Sequence, residues 1–185
     1  MPARLERLPL DKGFAPVVDH RARLLILGSM PGQASLQAAE YYAHPRNAFW
    51  TIMAQLFGWE TDLSYPERLE KLKGHGIALW DVIKQCQRPG SLDQHIVEDS
   101  IVPNDFDRLF RLAPQVQAVF CNGQRAYSLY TKWVRPTLDP PFAKLPVTRL
   151  PSTSPAHASL NLADKLQYWQ TAIQPFMKPT SHDPL

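Results

Sequence analysis

The chain has 185 residues, a hydrophobic share of 44%, a charged share of 20% and a formal net charge of +3. These values fit one globular domain with a core of its own. They leave no room for a disulfide framework, a four-cysteine metal site or a membrane span: the two cysteines, Cys86 and Cys121, form no C-x-x-C pair, and no apolar run reaches ~18 residues. The opening MPARLERLPL lacks a signal-peptide pattern, so the expected compartment is the cytoplasm. The basic residues are scattered, so charge permits an anionic partner without identifying one.

Residues 1–20, with Pro2, Pro9, Gly13 and Pro16, are expected to be an arm over the domain surface. Leu24-Leu25-Ile26-Leu27 is a continuous apolar run, the pattern of a strand covered on both faces. A long loop follows, and from Asn47 the residues Phe49, Trp50, Ile52, Met53, Leu56 and Phe57 recur at helical spacing, with Asn47 at the N-cap and Gly58 as the stop. A second helix is predicted from Ser64 or Tyr65 to Lys73, then a strand from Gly76 to Trp80 that ends at Asp81. The stretch from Asp81 to Pro103 reads mostly as connection. Asn104 is placed to cap a short helix through Leu112, and Val116 to Cys121 supplies a third strand. Asn122-Gly123 leads into a helix from Gln124 to about Trp133, residues 136–146 form a proline-rich loop, and Val147 to Leu150 is a fourth strand. After a polar turn, Pro151 to His157, a final helix is expected from Ser159 to about Phe176, with residues 178–185 frayed.

Strands alternating with helices predict an α/β fold, a three-layer sandwich around a central, mainly parallel four-stranded sheet, in a single domain spanning 1–185. Right-handed crossovers put the loops after the strands on one sheet edge, where ligands bind in open α/β folds. Three loops should therefore converge there: Ser29 to Arg46, Asp81 to Pro89 and Ser152 to His157. No P-loop, dinucleotide fingerprint or G-x-S-x-G elbow occurs, and the six histidines follow no metal-ligand spacing, so neither metal nor cofactor is expected.

Gly-Ser-Met-Pro-Gly at 28–32, Tyr-Tyr-Ala-His-Pro-Arg-Asn-Ala-Phe-Trp at 41–50, Leu-Trp-Asp-Val at 79–82 and Pro-Ser-Thr-Ser-Pro-Ala at 151–156 together resemble the uracil-DNA glycosylase superfamily. The resemblance is strongest to the hypoxanthine-DNA (deoxyinosine) glycosylase branch, with the mismatch-specific uracil glycosylases nearest to it. It implies a monofunctional, metal-free base-excision repair enzyme that flips a deaminated base from DNA and hydrolyses its N-glycosidic bond, hypoxanthine before uracil. It also implies a monomer whose partner is DNA containing deaminated bases, with no membrane.

Residue by residue, the superfamily usually carries a polar water-positioning side chain where Met30 stands here, and a thioether cannot do that work. The deoxyinosine branch is similar in lacking it, and its important asparagine matches Asn47, which is thus implied to orient the attacking water; capping its helix is the alternative role, and the two are compatible. Tyr42 matches the aromatic that stacks on the flipped base, with Tyr41 and Phe49 as other candidates or as core. His44 is a candidate donor to the leaving base or a phosphate, or a residue that fixes the turn with Pro45. Gly28, Ser29 and Met30 would line the base pocket. Asp81 falls where relatives read the base, and a carboxylate suits the N1–H of hypoxanthine or the N3–H of uracil; a turn aspartate is the plainer reading. Ser152, Thr153, Ser154 and His157 would meet DNA, as would the helix start at Asn122, unless they are ordinary capping turns. Two other classes stay open: a non-catalytic binder of deaminated-base DNA, and a small-molecule hydrolase using Ser29 with a histidine.

Overall fold

A computed structural model describes residues 9–177. Its centre is a sheet of four parallel strands in the order β3-β2-β6-β7, comprising Leu24–Gly28 (β2), Ile77–Asp81 (β3), Ala118–Asn122 (β6) and Val147–Leu150 (β7). The continuous apolar runs have the expected cause. Leu25, Leu27, Ala78, Trp80, Val119 and Cys121 face one side of the sheet, while Leu24, Ile26, Ile77, Leu79, Ala118 and Phe120 face the other. Each set is covered by helices, which completes three layers.

The first face packs on Phe106–Leu112 (α4) and Gln124–Leu129 (α5), through Phe106, Leu109, Phe110, Ala126 and Leu129. The second packs on Phe49–Phe57 (α2), Tyr65–Gly74 (α3) and Leu162–Ile173 (α6), through Phe49, Ile52, Met53, Leu72, Trp169 and Ile173. Burying side chains of this size contributes about 1.5–3 kcal/mol each, and these anchors set the height of the helices above the sheet. No helix among the described residues is long and apolar enough to cross a membrane.

Several expectations change. The N-terminal arm is partly a strand: Leu10–Lys12 (β1) pairs antiparallel with Ile83–Gln87 (β4), and Val17 bridges to Leu79. With Val102–Pro103 (β5) these make a small second sheet in the order β1-β4-β5, of which β4 and β5 lie inside the stretch expected to be connection. Lys84, Gln85 and Gln87 conceal β4, because only Ile83 and Cys86 are buried in it and no apolar run marks the strand. The long first loop contains a short helix, Gln33–Ala38 (α1). Asp105, not Asn104, caps α4, its side chain accepting from the Arg108 N–H at 3.1 Å, while the Asn104 Nδ2 donates to the Asp81 carbonyl at 2.7 Å. The helix after Asn122 runs as α5 and then as a π-helical segment, Tyr130–Val134. The last helix starts three residues later than expected, at Leu162, because Asn161 rather than Ser159 accepts the cap bond from the Asp164 N–H at 2.9 Å. The expected frayed tail lies outside the described residues.

Candidate active site

The carboxyl ends of the parallel strands open into a cavity of about 690 Å³. The twelve first-choice site residues all line it, Gly28, Ser29, Met30, Tyr42, His44, Asn47, Asp81, Asn122, Ser152, Thr153, Ser154 and His157, as does Tyr41, whereas Phe49 does not. The loops meet as expected with one change. Of the expected second loop, Asp81 to Pro89, only Asp81 reaches the cavity; the chain turns away as β4 and returns beyond that loop through Ser91 to Gln94.

Its floor is the end of the β2–β3 pair. Gly28 sits opposite Asp81 in the register, and a Cβ at position 28 would lie 2.3 Å from Asp81 Oδ1 and 3.0 Å from the Tyr42 hydroxyl. Glycine is required there by close approach, since its own backbone is in the strand. Asp81 is 4% exposed, and neither its Oδ2 nor the Tyr42 hydroxyl has a hydrogen-bond partner among the described residues. Burial pushes the Asp81 carboxyl up to about 7, the nearby charge of Asp93 adds to the rise, and Arg88 opposes it. Burial likewise raises the Tyr42 phenol and the Asp81 charge adds to it, while the neighbouring Asn122 amide opposes the rise. Tyr42 holds a left-handed backbone, φ 55°, uncommon for a bulky residue, and its ring stacks on the fully buried Phe49 with centroids 4.1 Å apart. Tyr41 and Phe49 belong to the core, the Tyr41 hydroxyl donating to the Ala15 carbonyl at 2.9 Å.

On the first loop, Asn47 Oδ1 accepts from the Phe49 N–H at 2.9 Å. The side chain thus caps α2 although the backbone N-cap is Ala48, and its Nδ2 makes no hydrogen bond among the described residues. His44 Nδ1 accepts from the Arg46 N–H at 3.1 Å, which in the neutral ring leaves the proton on Nε2. Met30 is buried in the apolar cluster beneath the sheet edge while lining the cavity.

The third loop is fastened from three sides. Thr153 and Asn122 bond reciprocally, Asn122 Nδ2 to Thr153 Oγ1 and the Thr153 N–H to Asn122 Oδ1, both at 2.9 Å. The Ala48 N–H donates to the Thr153 carbonyl at 3.0 Å, joining the first loop to the third. From α6, Lys165 Nζ donates to the His157 carbonyl at 2.8 Å and to that of Ser154 at 3.4 Å, and Trp169 Nε1 to that of Pro151 at 2.9 Å. Ser152 Oγ accepts from the Ser154 N–H, and Ser154 Oγ from the Ala156 N–H, so the loop makes its own turns and is not the first turn of a helix. Asn122 and Thr153 are buried, whereas Ser152, Ser154 and His157 keep accessible surface.

Asp93 was not among the candidates. Ser29 Oγ donates to its Oδ2 at 2.6 Å across the cavity wall, and burial raises this carboxyl while Ser29, Arg88 and Arg125 lower it. The Ser29 hydroxyl therefore faces a carboxylate and no imidazole, which removes the arrangement a serine nucleophile needs. The second loop is clamped to the first beside this bond. The Gln33 N–H donates to Ser91 Oγ at 2.9 Å, Gln33 Nε2 to the Gly90 carbonyl at 3.0 Å, and Arg88 Nη2 to the Pro31 carbonyl at 2.5 Å and to Asp11 at 3.1 Å. No signal in Gly-Ser-Leu-Asp-Gln separates Asp93 from an exposed turn aspartate.

The profile of the uracil DNA glycosylase superfamily matches residues 15–174 of this chain. The chain is 40% identical over 116 residues to a hypoxanthine DNA glycosylase of Methanosarcina barkeri, an overlap covering 62% of this chain and 72% of that protein. It is 36% identical over 118 residues to one of Methanosarcina acetivorans, covering 63% and 73%. The solution NMR structure of a candidate uracil DNA glycosylase from M. acetivorans superposes with a TM-score of 0.71 at 31% identity, over 88% of this chain and 98% of that one.

Proposed function

The chain belongs to the uracil DNA glycosylase superfamily, and from that premise we propose that it is a monofunctional DNA base-excision glycosylase acting on flipped deaminated bases, hypoxanthine first and uracil second. The observation that carries this reading is the buried Asp81 Oδ2 at the cavity floor, unpartnered among the described residues. Unsatisfied buried groups cost about 1–3 kcal/mol each, and a ligand edge with matching donors and acceptors relieves that cost. Hypoxanthine offers N1–H beside O6, and uracil offers N3–H between two carbonyls. A carboxyl poised near neutrality accepts from the ring N–H when ionised, and when protonated it also donates to the adjacent carbonyl. Adenine presents N1 as an acceptor and meets the ionised carboxylate with two acceptors face to face.

In this reading Asn47 orients the water through its free Nδ2, Tyr42 stacks on the flipped base, and His44 donates from Nε2 to the leaving base or a phosphate. Gly28, Ser29 and Met30 shape the pocket wall. Ser152, Ser154 and His157 meet the DNA backbone, with Asn122 and Thr153 holding that loop from beneath. No lysine lines the cavity among the described residues, which supports hydrolysis without a Schiff-base lyase step. The enzyme acts as a monomer in the cytoplasm.

The test is a panel of labelled oligonucleotides carrying hypoxanthine, uracil, xanthine or no lesion, scored for alkali-labile abasic sites. Hypoxanthine should give the most cleavage, and absence of cleavage above the lesion-free control on every substrate would overturn the enzymatic reading in favour of a lesion-binding protein. Asn47→Ala should lower the single-turnover rate by about 100-fold while duplex binding and folding persist; near-wild-type excision would remove Asn47 from the chemistry.

A further inference from the structure

Hydrolysis of a glycosidic bond needs a group that takes a proton from the attacking water, and an amide such as that of Asn47 can orient water but cannot take its proton. The cavity wall offers four titratable side chains for this duty besides the buried phenols: Asp81, Asp93, His44 and His157. Three are engaged elsewhere. Asp81 lies at the deep end of β3 against Gly28, where the edge of an entering base arrives before its sugar. His44 has its basic nitrogen occupied by the Arg46 N–H. His157 stands on the rim, its Nε2 3.3 Å from Ser159 Oγ.

Asp93 is left, and its setting suits the task. The Ser29 hydroxyl fixes one carboxylate oxygen, Oδ2, at 2.6 Å, while Oδ1 accepts no hydrogen bond among the described residues. The residues around it are tied to the first loop through Gln33 and Arg88, and the Ile96 N–H closes the turn onto the Asp93 carbonyl at 3.1 Å behind it. A carboxylate held by one oxygen with the other free is pre-organised for proton transfer. A negative charge in the cavity wall also stabilises an oxocarbenium-like sugar as it develops positive charge.

We propose that Asp93 is a further catalytic residue of this cavity, its Oδ1 accepting the proton of the hydrolytic water while Ser29 holds Oδ2. The assignment rests on the glycosylase reading above. The water oxygen bonds to C1′ as the C1′–N bond breaks, and the electron pair of that bond departs with the base. The water's proton passes to Asp93 Oδ1. The departing base takes a proton from solvent and Asp93 returns its own, which restores the carboxylate and balances the step.

Asp93→Asn retains an oxygen able to accept from Ser29 and loses only the capacity to take a proton, whereas Asp93→Ala loses both. The experiment measures single-turnover excision from a hypoxanthine duplex, duplex affinity and thermal melting for wild type and both variants, with formate added to the alanine variant. The expected result is a rate lower by about 10²–10⁴-fold in both variants, affinity and melting close to wild type for Asp93→Asn, and partial recovery of Asp93→Ala by formate. Wild-type-like rates in Asp93→Asn, with loss confined to Asp93→Ala, would overturn the assignment and leave a structural tie between two loops. An active wild type with active Asp93→Asn removes Asp93 alone. A wild type that excises no base removes the glycosylase reading together with it.

Discussion

At the floor of the cavity Asp81 Oδ2 and the Tyr42 hydroxyl lie buried without hydrogen bonds among the described residues, whereas along the third loop Ser152, Thr153, Ser154 and the carbonyl of His157 are all bonded to neighbours. The contrast separates two ways of building one site. The floor stores unmet hydrogen-bonding capacity in a place water reaches poorly, which favours a ligand bearing the complementary edge. The third loop is a finished structure, and what it offers a partner is shape and the surface of Ser152, Ser154 and His157. Chemistry and selectivity should depend on the floor, docking on the rim.

The sharpest way to break the floor is Gly28→Ala, which drives a methyl into the Asp81 carboxylate at 2.3 Å. Excision should fall by more than about 100-fold with a destabilisation of about 1–3 kcal/mol. An unaffected excision rate in that variant would show that the Asp81–Gly28 contact is not part of the working site.

A smaller effect on excision, with a pH-dependent effect on stability, comes from the Asp81 charge. With its carboxyl raised to about 7, the folded protein keeps a proton that the unfolded chain, titrating near 4, has already released. Between those values the unfolded state binds fewer protons, so stability falls as pH rises, by at most about 4 kcal/mol across the window. Asp81→Asn removes that slope, and it should impair excision more than duplex binding. Urea unfolding midpoints compared from pH 4 to 8 should show wild type losing more than the variant, and parallel curves would place the Asp81 pKa near its ordinary value.

The mildest change is expected at the rim. Lys165→Met keeps the aliphatic stem and removes the ammonium that gathers the Ser154 and His157 carbonyls. Lesion-duplex binding should weaken by about tenfold or less, with the single-turnover rate at saturating enzyme unchanged. A loss of rate greater than the loss of affinity would mean that floor and rim are coupled.

The parts legible in the sequence were those written by continuous burial or by turn chemistry. The strands β2, β3 and β6 carry their two-sided packing as apolar runs, and the helix after Asn47 carries its period and its glycine stop. The small sheet was hidden because β1 and β4 are held by pairing while most of their side chains are polar. The same concealment extended to the site. Asp93 comes beside Ser29 only because β4 leads the chain away and the clamped turn brings it back, a separation of 64 residues closed by one hydrogen bond. The Asn122–Thr153 pair, 31 residues apart, was hidden for the same reason, so Asn122 read as a helix start facing DNA when both ends of its amide in fact hold the third loop.

Arg88 lies wholly buried, its Nη2 shared between the Pro31 carbonyl and Asp11, with Nε and Nη1 unpartnered among the described residues. Its counter-charge comes from β1, a three-residue strand that looks expendable on the page of letters. A proteolytic nick or a trimmed expression boundary before Gly13 would therefore do more than shorten an end. It would remove the ion-pair partner of a guanidinium under the turn that shapes the cavity and leave it only the Asp81 and Asp93 charges, a change worth at most about 3–5 kcal/mol. The beginning of the chain is in this sense the keystone under the wall of its cavity, more than 70 residues in sequence from the arginine it neutralises.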